Sequence, residues 1–247
     1  MSLCNALSGA DYGDDTPVFI NTRPETMFSN RKNDLSGIIN DEAVIVTEHQ
    51  STINENMPFR FLSSIARLFE NSISDRNLIY RRRLVKLPRP EFFVLYNGID
   101  PYPDKVALKL SEAFKQAGGM NGIHLELLVT MINVNKGRNG EIIKRCETLS
   151  GYAEFVDQVR KKQGQLIEEN PEEKPYALQK ALRYAITYCR EQGILEWFFK
   201  NLTREEENML ITEWNQDEAL KVRFEEGLEQ GREEARHRAS TKTSVAA

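Results

Sequence analysis

An α/β fold is what this sequence predicts, and three observations carry the prediction. Apolar, β-branched runs of strand length recur at Asn33 to Asn40, Ala43 to Ser51, Phe92 to Tyr96 and Ile123 to Asn133. A stripe at helical spacing, Phe61, Leu62, Ile65, Leu68 and Phe69, separates the second run from the third. From about Glu141 onward the chain reads helical. Strands separated by helical segments argue for a layered α/β sheet and against an all-β sandwich.

Composition bounds the classes of function. A chain of 247 residues, 40% of them hydrophobic, can bury a real core. Its net charge of −4 and pI near 5.6 do not advertise a nucleic-acid partner, so any DNA contact must come from local basic patches. The three cysteines, Cys4, Cys146 and Cys189, are far apart and show no zinc-ligand spacing. A sparse, odd count suits a reducing cytoplasm. No signal peptide or membrane-length apolar run is visible, so the expectation is a soluble, cytoplasmic protein without a membrane partner.

Taken in order, Met1 to Leu7 reads as the end of a helix closed by Ser8-Gly9, and Val18 to Ile20 as a short strand. Arg31 and Lys32 place two cations just before Asp34. The next two runs form a hairpin across the polar turn Asn40-Asp41-Glu42. Pairing them brings Asp34, at the start of the first strand, near Glu48, at the end of the second. Alternation puts Glu48 and Gln50 on one face with Val44 and Val46, while Thr47 and His49 face the other way. Two carboxylates close together repel unless something positive lies between them. A hard divalent cation such as Mg²⁺ fits oxygen donors of this kind, and solvated strand-edge residues are the plainer reading of the same pattern. Asp41 and Glu42 fall at the far end of the hairpin and stand outside this group.

A helix follows from about Asn56 to Asn71, with Asn56 as the candidate N-cap and Pro58 in the first turn. Arg60, Ser64, Arg67 and Asn71 recur opposite its apolar stripe, a face that is either solvated or turned toward a phosphate. Arg81, Arg82, Arg83 and Lys86 form the densest basic cluster, suited to a phosphate backbone and equally to a solvated helix end. Pro88 and Pro90 bracket the turn into the Phe92 strand, which Asn97-Gly98 ends. The stretch from Ile99 to Asn121 reads as loop with a short helix at Leu110 to Gln116. Ile123 to Asn133 reads as the last core strand, carrying His124 as a packed or edge residue. Further on, Leu178, Leu182, Ala185, Ile186 and Cys189 mark one helix, stopped by Gly193. Ile194, Leu195, Phe198 and Phe199 mark a second. Thr203 and Glu206 form a capping box opening a third that holds Leu210, Ile211 and Trp214. Glu218 to about Arg238 is nearly all charge, and Ser240 to Ala247 is expected to be disordered.

The run Glu48-His49-Gln50-Ser51-Thr52-Ile53-Asn54-Glu55-Asn56-Met57-Pro58-Phe59-Arg60-Phe61-Leu62, continued by Ile65-Ala66-Arg67-Leu68-Phe69-Glu70, resembles the signature of the bacterial recombination-promoting nucleases, a transposase-like family of the PD-(D/E)XK nuclease superfamily. Phe92 to Gly98, Leu108 to Phe114, Cys146 to Leu149 and the Gly-spaced acidic tail extend the likeness over nearly the whole chain. The resemblance implies a restriction-endonuclease-like mixed sheet flanked by helices, with a helical C-terminal extension. It implies DNA as substrate, Mg²⁺ or alternatively Mn²⁺ as cofactor, and Asp34 and Glu48 as metal ligands aided by the backbone carbonyl of His49. Gln50 takes the place held by Lys in most of the superfamily, and this family usually carries Gln there. Arg60, Arg67, Arg81, Arg82, Arg83 and Lys86 are the candidate DNA contacts. Relatives begin with a further helical segment before the stretch matching Asn5 to Gly9, which this chain lacks.

The expected organisation is a nuclease core over residues 1–140, a helical extension over 141–216 and a charged tail over 217–247. Two other classes stay open at this point. One is a catalytically silent DNA-binding protein, and the other an oligomerising scaffold working through Glu218 to Ala247. A DDE-type transposase lacks a well-placed third carboxylate.

Overall fold

The hairpin turn sets the register of the whole sheet. The amide of Glu42 donates to the Ile39 carbonyl at 3.0 Å, and both central residues take positive φ, 48° at Asn40 and 56° at Asp41. Mirror-image turns require this conformation because their twist matches that of the flanking strands, and Asn and Asp tolerate it. Strands β2 (Asp34–Ile39) and β3 (Ala43–Gln50) therefore pair antiparallel from Ile39 opposite Ala43 to Asp34 opposite Glu48. The computed structural model describes residues 1–13, 15–20, 34–73, 75–115, 122–212 and 214.

Around this hairpin stands a six-stranded mixed sheet in the order β1-β2-β3-β4-β6-β5. β1 (Val18–Ile20) extends the antiparallel side. β4 (Arg89–Tyr96) and β6 (Leu128–Asn133) run parallel to β3, and β5 (Lys105–Lys109) closes the other edge antiparallel to β6. This is the α/β class that the alternation of runs predicts.

Helices cover both faces. α2 (Met57–Ser72) crosses from β3 to β4 and buries Phe61, Ile65 and Leu68 against Val44, Val46, Phe92, Val94 and Met131. Its 16 residues span about 24 Å. Asn56 precedes it, but its side chain caps nothing. The carboxamide of Asn54 instead accepts the Asn56 amide at 2.9 Å. On the opposite face α1 (Ser2–Ser8), ended by Gly9 at φ 73°, packs Ala6 and Leu7 with Ile39, Ile45, Phe93, Ile132, Cys146 and Leu149. Burial there pushes the Cys4 thiol above its ordinary pKa.

Three elements differ from the sequence reading. β5 occupies part of the stretch read as loop; its alternation of Lys, Val, Ala, Leu and Lys is that of an edge strand whose second face is solvated. The expected helix from Leu110 is a 3₁₀ turn, Leu110–Ala113. The last core strand starts at Leu128 rather than Ile123, leaving His124 exposed. The reason is local. Ser111 donates its amide and hydroxyl to the Glu126 carboxylate, at 3.1 and 2.6 Å, and the Leu110 amide donates to the Leu127 carbonyl. Those bonds tie 126–127 to the 3₁₀ turn and hold the Glu126 carboxyl below its ordinary pKa.

One short helix, α3 (Gly140–Lys144), and one long helix, α4 (Glu147–Glu169), follow β6. The chain divides into two compact units, Met1–Glu154 and Phe155–Ala247, the division falling within α4. In the second unit α5 (Lys174–Gln192) buries Ala177, Ala181, Leu182, Ala185, Ile186 and Cys189, and ends at Gly193 with φ 67°. α6 (Glu196–Phe199) is a single turn that buries Phe199 alone. The Thr203 amide and hydroxyl both donate to Glu206 at 2.8 Å, and the Glu206 amide returns to the Thr203 hydroxyl at 3.2 Å, so the capping box opens the helical residues 204–212. Arg31, Lys32 and the charged tail lie outside the described residues.

Candidate functional site

Parallel strands β3, β4 and β6 all end at one edge of the sheet, where Gln50 pairs with Tyr96 and Tyr96 with Asn133. In open α/β sheets this carboxyl edge is where ligands bind. Glu48, next to that edge, has only 3% of its side chain exposed. Burying a carboxylate is costly unless charge and hydrogen bonds compensate it. The Arg60 guanidinium, from the first turn of α2, forms an ion pair with Glu48 Oε1, and the Gln50 side-chain amide donates to the same oxygen. Asp34 stands directly opposite Glu48 in the β2–β3 register.

Sequence reasoning places Arg60 on a polar helix face. The structure turns it inward, with its second nitrogen 3.8 Å from the Met57 sulfur. Arg67, seven residues on and about 10 Å further along the helix axis, is exposed. Arg81 pairs at 3.3 Å with Asp75, while Arg82, Arg83 and Lys86 are exposed on the segment leading into Arg89. Arg89 pairs with Ala43, at the end of β3 opposite to Gln50. Seven residues of strand, about 23 Å, separate Ala43 from Gln50. Asp34, Glu48, Gln50 and Arg60 are thus brought to one place, whereas the basic cluster leads into the other end of the sheet.

The opposite face of the same strand end carries a hydrogen-bonded network that sequence reasoning missed. Asn97 Nδ2 donates to the Tyr152 hydroxyl at 2.7 Å, and that hydroxyl lies 2.7 Å from His49 Nε2. The His49 and Tyr152 rings meet edge to face at 5.6 Å. The Asn135 side-chain amide donates to the Gly98 carbonyl at 3.0 Å, and its backbone amide donates to Asn133 Oδ1 at 3.1 Å. A Cβ at Gly98 would collide with the Ser51 carbonyl and the Tyr96 ring, so glycine is required where the two strand ends turn away. The signal available in the sequence was an Asn at the end of two of the parallel strands, Asn97 just after β4 and Asn133 closing β6.

The donor set suits a hard cation in chemistry: carboxylates, a carboxamide and backbone carbonyls, with no thiolate. Among the described residues no group of three or more His, Cys, Asp or Glu side chains converges as a ready-made metal cage. No helix among them is long and apolar enough to cross a membrane. No family model, curated protein or solved structure matches the chain.

Proposed function

We propose that this chain is a Mg²⁺-dependent DNA endonuclease of the recombination-promoting nuclease family, hydrolysing phosphodiester bonds. One observation carries the reading. The residues at which the sequence resembles that family's motif, Asp34, Glu48 and Gln50, fall at adjoining positions of one hairpin at the carboxyl edge of the parallel strands. The family itself rests on the sequence resemblance, and function is argued from the site rather than from the α/β class.

In this reading Asp34, Glu48 and the His49 carbonyl would hold Mg²⁺, and Mn²⁺ would take the same oxygen donors. A bound cation would polarise the scissile phosphate and lower the pKa of a water. Gln50, neutral and fixed by its bond to Glu48, orients the attacking water or a phosphate oxygen. Arg60 supplies the positive charge that a carboxamide lacks. Arg67, Arg81, Arg82, Arg83 and Lys86 hold the duplex backbone away from the chemistry, without reading sequence.

Cleavage of supercoiled plasmid with added Mg²⁺ or Mn²⁺ tests this. Metal-dependent nicking by the parent, lost in Asp34→Ala and Glu48→Ala, is the expected result. An inert but folded parent overturns it. A silent DNA-binding protein is the second reading, favoured by the fact that Arg60 already neutralises Glu48. Intact plasmid with salt-sensitive binding is its signature.

A further inference from the structure

We infer that Arg60 is an exchangeable counter-ion: it holds Glu48 while the site is free of metal, and a divalent cation displaces it toward the bound phosphate. This deepens the proposed function and rests on it. The argument begins with Glu48. A carboxyl that is 3% exposed is costly to keep ionised without a cation beside it. Arg60 meets that need now, through one guanidinium nitrogen bound to Oε1.

Three features make the arrangement reversible. Among the described residues the other nitrogen of the fork meets the Met57 thioether at 3.8 Å, a weak acceptor, so Arg60 gives up little there on leaving. About a third of its side chain, 32%, is already exposed, which leaves it a route outward. It stands in the first turn of α2, so its long side chain moves while Met57 and Phe61, both buried, keep the helix in place.

Competition follows from charge. Glu48 Oε1 already receives both Arg60 and Gln50. A divalent cation on the same carboxylate would stand beside the guanidinium, and two cations on one anion repel at short range. Gln50 is neutral and can stay. Arg60 cannot share, and the incoming phosphate, carrying negative charge, offers the planar fork a better acceptor.

Calorimetric titration of MnCl₂ and MgCl₂ into the parent, Arg60→Ala and Arg60→Lys provides the test, with no DNA present. Removing the competitor should tighten metal binding about tenfold or more in Arg60→Ala. The metal-free variant should melt lower than the parent and recover most of the loss on saturation with metal, because the cation then compensates Glu48. In the parent, the guanidinium ¹⁵N–¹H resonance assigned to Arg60 by its loss in Arg60→Lys should shift as metal is added.

Equal or weaker metal binding in Arg60→Ala overturns the inference. So does a tighter variant combined with an Arg60 resonance that metal leaves unmoved, since Arg60 would then act by repulsion from a fixed place. Should Arg60→Ala not fold, Arg60→Lys decides: its less directional ammonium should release metal binding several-fold, and affinity unchanged from the parent overturns the idea. Absence of metal binding in the parent and both variants defeats the nuclease reading itself, a result distinct from the others.

Discussion

Glu48 and His49 are neighbours in β3, yet they meet opposite worlds. On the α2 face a buried carboxylate is balanced by a guanidinium and a carboxamide; on the other face an imidazole is joined to a phenol and a second carboxamide through hydrogen bonds. The contrast is one of exchangeability. A charge held by a charge can be handed to another ion without moving the backbone. A chain of hydrogen-bond donors and acceptors has no such substitute and opens only if the strand end or α4 shifts. One face of the strand can therefore respond to a ligand while the other keeps the backbone fixed.

The largest expected effect comes from breaking the support of the charged face. Phe61→Ala removes a ring that is 1% exposed and lies 5.3 Å from Phe92, and should cost about 3–5 kcal/mol in denaturant unfolding. If the charged face depends on α2 as described, the same variant also frees Arg60 from Glu48. A cost below about 1 kcal/mol would show that α2 does not hold that face.

On the His49 face Tyr152→Phe keeps the ring against His49 and deletes the hydroxyl that both Asn97 and His49 use. It should destabilise by about 1–3 kcal/mol. Metal affinity should change little, because no charge is removed. Equal losses of metal affinity in Tyr152→Phe and Glu48→Ala would erase the distinction between the faces.

Both faces share the hairpin register, so a turn variant should touch them alike. Asn40→Ala, at φ 48°, should cost about 1–2 kcal/mol, and Asn40→Gly almost nothing. Unfolding midpoints of the two variants measure this directly.

The smallest effect tests burial itself, by setting Glu48 beside an exposed carboxylate. Bonds from the backbone amide and then the hydroxyl of Thr203 hold the Glu206 carboxyl below its ordinary pKa. A depressed pKa stabilises above the unfolded value, and the contribution is lost as pH falls through the folded one. Glu206→Gln should therefore be slightly less stable than the parent at neutral pH and indistinguishable from it in acid. Melting curves of both proteins across that range provide the measurement.

How much of this was legible beforehand differs by region. Asn40-Asp41 announced a turn, and the alternation in Ala43 to Gln50 placed Glu48 and Gln50 on the side of Val44 and Val46. The pairing of Asp34 with Glu48 followed from the turn, because hairpin register leaves no freedom once the turn is fixed. The stripe in α2, the stop at Gly193 and the Thr203–Glu206 box were equally local. β5 was not legible, since Lys-Val-Ala-Leu-Lys has low strand propensity and owes its conformation to β6. Nor was the place of Arg60, because helical spacing shows which residues share a face but not which neighbour that face meets.

The sequence by itself determined the α/β class, the hairpin with its register, and the local stops and caps, each set by forces acting within a few residues. Only the tertiary structure decided that Arg60 compensates Glu48, that Tyr152 and Asn97 secure His49 from behind, and that Arg81 to Lys86 lead into the far end of the sheet. Those partners lie 12 to 103 residues apart, and no periodicity encodes them. They exist because packing an apolar stripe on a twisted sheet fixes where every other side chain must fall.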